Sequence, residues 1–153
     1  MRRFELLIPP PLVMLVIGLI MWLLSEMFPA MGLALFRNIV APAALGLIGV
    51  AISLAGVVAF KGANTTIDPR RPAETSTLVS SGVYRYSRNP MYLGMLLVLI
   101  GWGVYLANLL SILCVFAFIA YITRFQIIPE ERLLQEKFRT EFLAYKGKVR
   151  RWL

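Results

Sequence analysis

Two short stretches of the chain carry residue types that can hold a polar ligand. The first is Arg88-Asn89-Pro90-Met91-Tyr92-Leu93-Gly94. Pro90 suits the first turn of a helix, where its missing N–H costs nothing, and Asn89 before it is a good N-cap. A helix starting there presents its positive dipole end and free N–H groups, a ready place for a carboxylate or phosphate. Gly94 either lets a ligand approach the backbone or serves as a helix-packing glycine. The second stretch is Ile128-Pro129-Glu130-Glu131-Arg132. Its carboxylates can accept from hydroxyls or an ammonium, or be spent on Arg88, Arg132 or a helix N-terminus. Upstream, Tyr84 and Tyr86 add aromatic rings that could face a ligand or simply sit in an interfacial belt.

The elements that must position these residues are membrane helices. Of 153 residues, 59% are hydrophobic and only 16% charged. Soluble domains run at roughly 45–50% apolar and about 25% charged, so the composition excludes an ordinary soluble enzyme, a disordered chain and a disulfide scaffold. Residues 6–28 and 39–60 each exceed the roughly 20 residues that cross a bilayer core. Met91 to Thr123 is a charge-free run of 33 residues. At about 1.5 Å per residue it would span roughly 50 Å, too long for one crossing. The polar turn-former at Ala107-Asn108 is the natural break, giving spans 90–106 and 109–128. Gly101-Trp102-Gly103 is a second possible break, which would make the first arm re-entrant.

Charge placement tests this count. With four spans, fifteen of the sixteen basic residues fall on one side and only Arg37 on the other. That satisfies the positive-inside rule with both termini cytoplasmic, in the plasma or inner membrane if the cell is prokaryotic. The expectation is an all-α polytopic membrane protein forming a single domain over 1–153. It has four transmembrane helices, a C-terminal helical hairpin, a cytoplasmic loop at 61–89 and an amphipathic tail helix at 130–146. Leu134, Phe138, Phe142 and Tyr145 form the apolar stripe of that tail, suited to lying on an anionic leaflet. The N-terminal apolar stretch is too long for a signal-peptide core and reads as a retained span. Cys114 reads as packing, no metal motif exists, and the charges flank spans instead of lining a nucleic-acid groove.

A tight hairpin returns the chain to the face it left, so Arg88–Gly94 and Arg124–Glu131 meet at one depth. The resulting site suits a ligand with hydroxyls, an ammonium or sulfonium, a carboxylate and a flat ring. On the residues alone, nucleotides, lipid head groups and S-adenosylmethionine fit comparably.

At these residues the chain resembles the isoprenylcysteine carboxyl methyltransferases and their phospholipid methyltransferase relatives. The matching strings are Thr77-Leu78-Val79, Ser81-Gly82-Val83-Tyr84, Arg88-Asn89-Pro90-Met91-Tyr92-Leu93-Gly94, Glu130-Glu131, and Phe138 to Phe142 with Tyr145 and Val149. The resemblance covers roughly 65–151 and implies an integral-membrane methyltransferase using S-adenosyl-L-methionine without a dinucleotide-binding fold. No G-x-G-x-x-G is present, in agreement. It further implies a cofactor pocket made by Thr77, Leu78, Val79, Tyr84, Asn89, Pro90, Met91, Tyr92, Glu130 and Glu131. Arg124 is the nearest candidate for the arginine that meets a substrate carboxylate in the family. Asn89 stands where the family usually has His; it keeps a donor and an acceptor but cannot titrate, which excludes a general base there.

The function this implies is direct methyl transfer to a carboxylate, thiolate or amine on an isoprenoid- or lipid-like substrate, with catalysis by alignment and desolvation. The partners are membrane lipids and a lipid-like or prenylated substrate, with no nucleic acid. Two rival readings stand beside it. One is a non-enzymatic four-span protein, a small transporter or assembly factor, supported by Glu26 near the end of the first span. The other is a membrane reductase using a nicotinamide cofactor.

Overall fold

The computed structural model describes residues 5–33, 39–62 and 77–153. Arg37 and positions 63–76 of the expected cytoplasmic loop lie outside the described residues. Among those described the fold is helical, without named strands; a single isolated bridge joins Gly32 and Asn108. The helices are α1 (Pro10–Met27), α2 (Val40–Gly62), α3 (Pro90–Leu106), α4 (Leu109–Ile122) and α5 (Ile128–Lys148). Helices α1 and α2, and the unbroken run Leu109–Lys148, are long and apolar enough to cross a membrane, while α3 is a shorter apolar helix.

Helix α1 starts four residues later than hydropathy suggests. Three prolines, Pro9-Pro10-Pro11, hold the preceding residues out of the α region and pre-set the first turn. Leu6 lies before them with φ 58°, and its N–H donates to the Phe125 carbonyl at 2.9 Å. That carbonyl is available because its helical partner would be residue 129, and Pro129 has no N–H to give.

The same proline accounts for the shape of the C-terminal half. A helix ending at 128 and a separate tail were expected. Instead α4 passes through a π-turn, Thr123–Ile127, straight into α5. A π-turn widens the helix locally, which accommodates Pro129 in the next turn without a break. The change of direction comes later, at Arg139, whose φ of 38° is a left-handed value inside α5. Beyond it Phe142 is only 1% exposed and Tyr145 half-buried; before it Leu134 and Phe138 are half-buried. Of the tail's apolar stripe, Phe142 is thus packed onto the protein while the other three residues are partly covered.

Between α3 and α4 the chain uses two residues. Ala107 takes a left-handed conformation with φ 47°, and Asn108 caps α4 through its Oδ1, which accepts from the N–H groups of Leu110 (3.0 Å) and Ser111 (3.3 Å). Asn108 Nδ2 also donates to the Phe28 carbonyl at 3.0 Å, tying in the end of α1.

Helix α3 packs most extensively on α2. The approach is so close that a Cβ on Gly94 would collide with the Ser53 side chain and the Gly49 carbonyl. This settles the two uses of Gly94: it is a packing glycine. On the other side, Ser111 Oγ donates to the Met21 carbonyl at 2.6 Å and Trp102 Nε1 to the Gly18 carbonyl at 3.0 Å, stapling α1 to α4 and α3. Met21, Phe118, Ile122 and Ile127 form the fully buried centre. Helices α1 and α2 diverge over α3, leaving an apolar groove of about 780 Å³ that runs from Val98 to Tyr105.

Candidate functional site

The candidate site is built where the start of α3, the start of α5 and the chain's last residues converge. Pro90 is buried at the first turn of α3, and Asn89 holds the N-cap position. The Asn89 side chain does not cap the helix. Its Nδ2 donates to the Arg151 carbonyl at 2.9 Å, while its backbone N–H donates to Ser87 Oγ at 3.1 Å. One turn on, the buried Tyr92 hydroxyl donates to Glu130 Oε1, which joins the two stretches singled out from sequence.

The adjacent glutamates occupy opposite environments. Burial pushes the Glu130 carboxyl up to about 8, with the Tyr92 hydrogen bond pulling down and the neighbouring Glu131 charge pushing up. Burial also pushes Glu131 upward, but hydrogen bonds from Arg151 and Arg88 outweigh it and hold this carboxyl below its ordinary value. Glu131 Oε1 accepts from Arg88 Nη2 at 2.7 Å and from Arg151 Nε at 3.1 Å, and Oε2 accepts from Arg151 Nη2 at 2.7 Å. Near neutral pH the site therefore holds one carboxyl that can keep its proton and one permanently ionised.

Tyr84 is buried, with the Phe60 ring edge-on at 5.4 Å. Burial, and then the nearby Tyr145 and Glu130, push its hydroxyl far above the ordinary tyrosine value, so it stays neutral. Tyr145 of α5 donates to the Tyr84 carbonyl at 2.7 Å. Burial pushes the Tyr145 hydroxyl up to about 12, against the pull of Arg88. Met91 sits under α2, its carbonyl accepting from Ser53 Oγ at 3.1 Å. Leu78 and Val79 are buried, whereas Thr77 is exposed.

Arg124 stands apart from this group. It pairs with Glu5 at 3.4 Å, and Arg132 approaches the same carboxylate at 3.2 Å. The Arg124 guanidinium also lies 5.6 Å from the centre of the Phe125 ring. Sequence reasoning missed Arg151 altogether and saw Arg88 only as a possible glutamate partner within the matching string. The one available signal was the need of any buried carboxylate for a cation.

The family model for phospholipid methyltransferases matches residues 36–141. The chain belongs to that family. It is similar to an uncharacterized protein of Haemophilus influenzae, 51% identical over 63 residues, which is 41% of this chain and all of that one. It is also similar to the protein-S-isoprenylcysteine O-methyltransferase of Saccharomyces cerevisiae, 43% identical over 75 residues. That match takes in 47% of this chain and 30% of the yeast enzyme's length. No solved structure gave a significant match. With its long apolar helices, the chain is an integral-membrane member of a methyltransferase family.

Proposed function

We propose that the chain is an S-adenosyl-L-methionine-dependent methyltransferase that modifies an amphiphilic, isoprenoid- or lipid-like substrate. The observation that carries this reading is the Tyr92–Glu130 hydrogen bond, which joins the two stretches matched to the family at one end of the helix bundle. The residues there suit the cofactor. Glu130 can accept from ribose hydroxyls or an ammonium, and Tyr84, Leu78 and Val79 supply buried apolar and aromatic surface for a flat base. The Arg88 Nε–H is a buried donor without a partner among the described residues, a gap that a bound group can fill.

When bound, the cofactor supplies an electrophilic methyl on a sulfonium, which needs no acid to depart. The chain's own residues then have to orient, desolvate and position. The Arg88–Glu131–Arg151 cluster holds the base of α3 against the tail, and Tyr92 fixes the Glu130 carboxyl. Asn89 spans to the Arg151 backbone and cannot act as a base. A carboxylate or thiolate acceptor arrives ionised and needs none. Arg124, engaged with Glu5 at the cytoplasmic end of α4, is reserved for a substrate anion that displaces Glu5.

The substrate's tail is assigned to the groove between α1 and α2, where Gly18 and Gly46 leave room over α3. From Tyr92 to Val98 is about 9 Å along the helix and to Tyr105 about 20 Å, the depth of a long hydrocarbon chain whose head lies at the site. The topology belonging to this reading has four crossings with both termini cytoplasmic, α3 and α4 forming a hairpin. Glu26, which favoured a transporter, is exposed at the end of α1.

The test is to incubate membranes containing the chain with methyl-labelled S-adenosylmethionine. Label should enter an organic-extractable product with the wild type and not with Glu130→Ala. An unlabelled extract, with the protein folded and lipids from its own host present, overturns the proposal.

A further inference from the structure

Two guanidiniums share one carboxylate beneath the tail. Arg88 has a side chain only 8% exposed, yet it is not fully paired. Its Nη1 donates to the carbonyls of Val149 and, at 3.3 Å, Lys146, and its Nη2 donates to Glu131 Oε1 at 2.7 Å. Its Nε–H has no partner among the described residues. The reason is competition. Glu131 is gripped in bidentate fashion by Arg151, through Nε at 3.1 Å and Nη2 at 2.7 Å. The carboxylate therefore meets Arg88 end-on and cannot cover its side edge.

That edge is a fork matched to a carboxylate, and the cluster carries one positive charge more than it can balance internally. A hydroxyl or a water would complete the hydrogen bond and leave the charge. An anionic oxygen completes both. We infer that the buried Arg88 Nε–H, which Arg151 keeps Glu131 from covering, binds a carboxylate, that of the amino-acid end of the cofactor. This inference rests on the methyltransferase reading and assigns one end of the cofactor within it. A lipid phosphate is the other source of anionic oxygen. It suits exposed cations such as Arg85 better than a guanidinium buried beneath residues 146–151.

Arg151 is in this account a positioning residue. Its side chain holds Glu131 so that the carboxylate meets Arg88 at Nη2 and not at Nε, and its carbonyl accepts from Asn89 Nδ2 at 2.9 Å and from Ser87 Oγ at 3.4 Å. The tail thereby decides which donor of Arg88 is left for a ligand.

The experiment is calorimetry on the full chain in nanodiscs of neutral lipid, with S-adenosylhomocysteine and its decarboxylated analogue as probes. Wild type should bind the carboxylate-bearing probe at least about tenfold more tightly, the scale of one charge-assisted hydrogen bond. Arg88→Lys keeps the charge and removes the fork, so the ratio should fall to within about threefold. General damage would weaken both probes alike and leave the ratio. Arg85→Lys should leave it unchanged. Equal affinities in the wild type, measurable without any variant, overturn the inference, as does a ratio unaltered by Arg88→Lys. Equal affinities together with an Arg88-dependent rise in thermal stability on adding phosphatidylglycerol would assign the anion to a lipid and equally overturn it. Failure of both probes to bind removes the methyltransferase reading itself.

Discussion

Replacing Glu130 with Gln should make the ligand-free protein more stable at alkaline pH while leaving its stability at pH 4 to 5 nearly unchanged. Burial holds the Glu130 carboxyl at about 8 in the folded chain, against an ordinary 4.5. A folded-state value above the unfolded one means that stability is fully present below 4.5 and is lost as pH rises through the folded value. At about 1.4 kcal/mol per pH unit the loss approaches roughly 5 kcal/mol by pH 9, and about 3 kcal/mol is already gone at pH 7. Gln keeps the shape and a carbonyl acceptor for the Tyr92 hydroxyl, and it does not ionise. The other titrating groups are common to both proteins and cancel in the difference. Thermal unfolding in one detergent, followed from pH 5 to pH 9, should show the variant's midpoint rising above that of the wild type by several degrees as pH increases, at about 2–4 °C per kcal/mol for a chain of this size. A gap that stays constant with pH would refute the burial argument for Glu130. A gap of the opposite sign would show that Glu130 is ionised and paired.

Other substitutions probe the scaffold. Gly94→Leu should separate α2 from α3, because even a Cβ there meets the Ser53 side chain and the Gly49 carbonyl; a loss of at least about 1–3 kcal/mol should register as a lowered unfolding midpoint. Asn108→Ala should cost about 1 kcal/mol, through the α4 cap and the bond to the Phe28 carbonyl, with no effect on cofactor binding. Arg151→Ala should free residues 149–153 to proteases and cost about 1–3 kcal/mol, since Glu131 keeps Arg88 as a partner. Limited proteolysis with mass analysis would detect it.

Much of the scaffold was legible because hydrophobic run lengths and proline positions act locally. The charge-free run from Met91 to Thr123 and the turn-former Asn108 located α3, α4 and the break between them. Pro90 located the start of the site's helix. The late start of α1 was also readable in Pro9-Pro10-Pro11, but hydropathy averages over prolines and does not see them. The continuity of α4 and α5 was not legible. Pro129 predicts a helix start or kink, and only the neighbouring Leu6 N–H shows how the vacated Phe125 carbonyl is satisfied without a break. In the candidate site, Tyr92 and Glu130 were named from sequence and the expected fold put their stretches at one depth, but the hydrogen bond between them was not named. The Asn89 cap was named correctly as a position and wrongly as an interaction, because the side chain is turned to donate from Nδ2 to a tertiary acceptor, the Arg151 carbonyl, and its oxygen accepts from none of the helix's first N–H groups. Arg151 could not be found by any spacing rule, since it stands 62 residues from Asn89 and 20 from Glu131.

The central claim is that the convergence of α3, α5 and the tail binds S-adenosylmethionine. The most direct measurement is titration calorimetry of S-adenosylhomocysteine into the purified full-length chain in nanodiscs. The account predicts saturable binding of one molecule per chain, weakened at least about tenfold by Glu130→Ala through the loss of a buried acceptor. A flat titration with folded protein would contradict it.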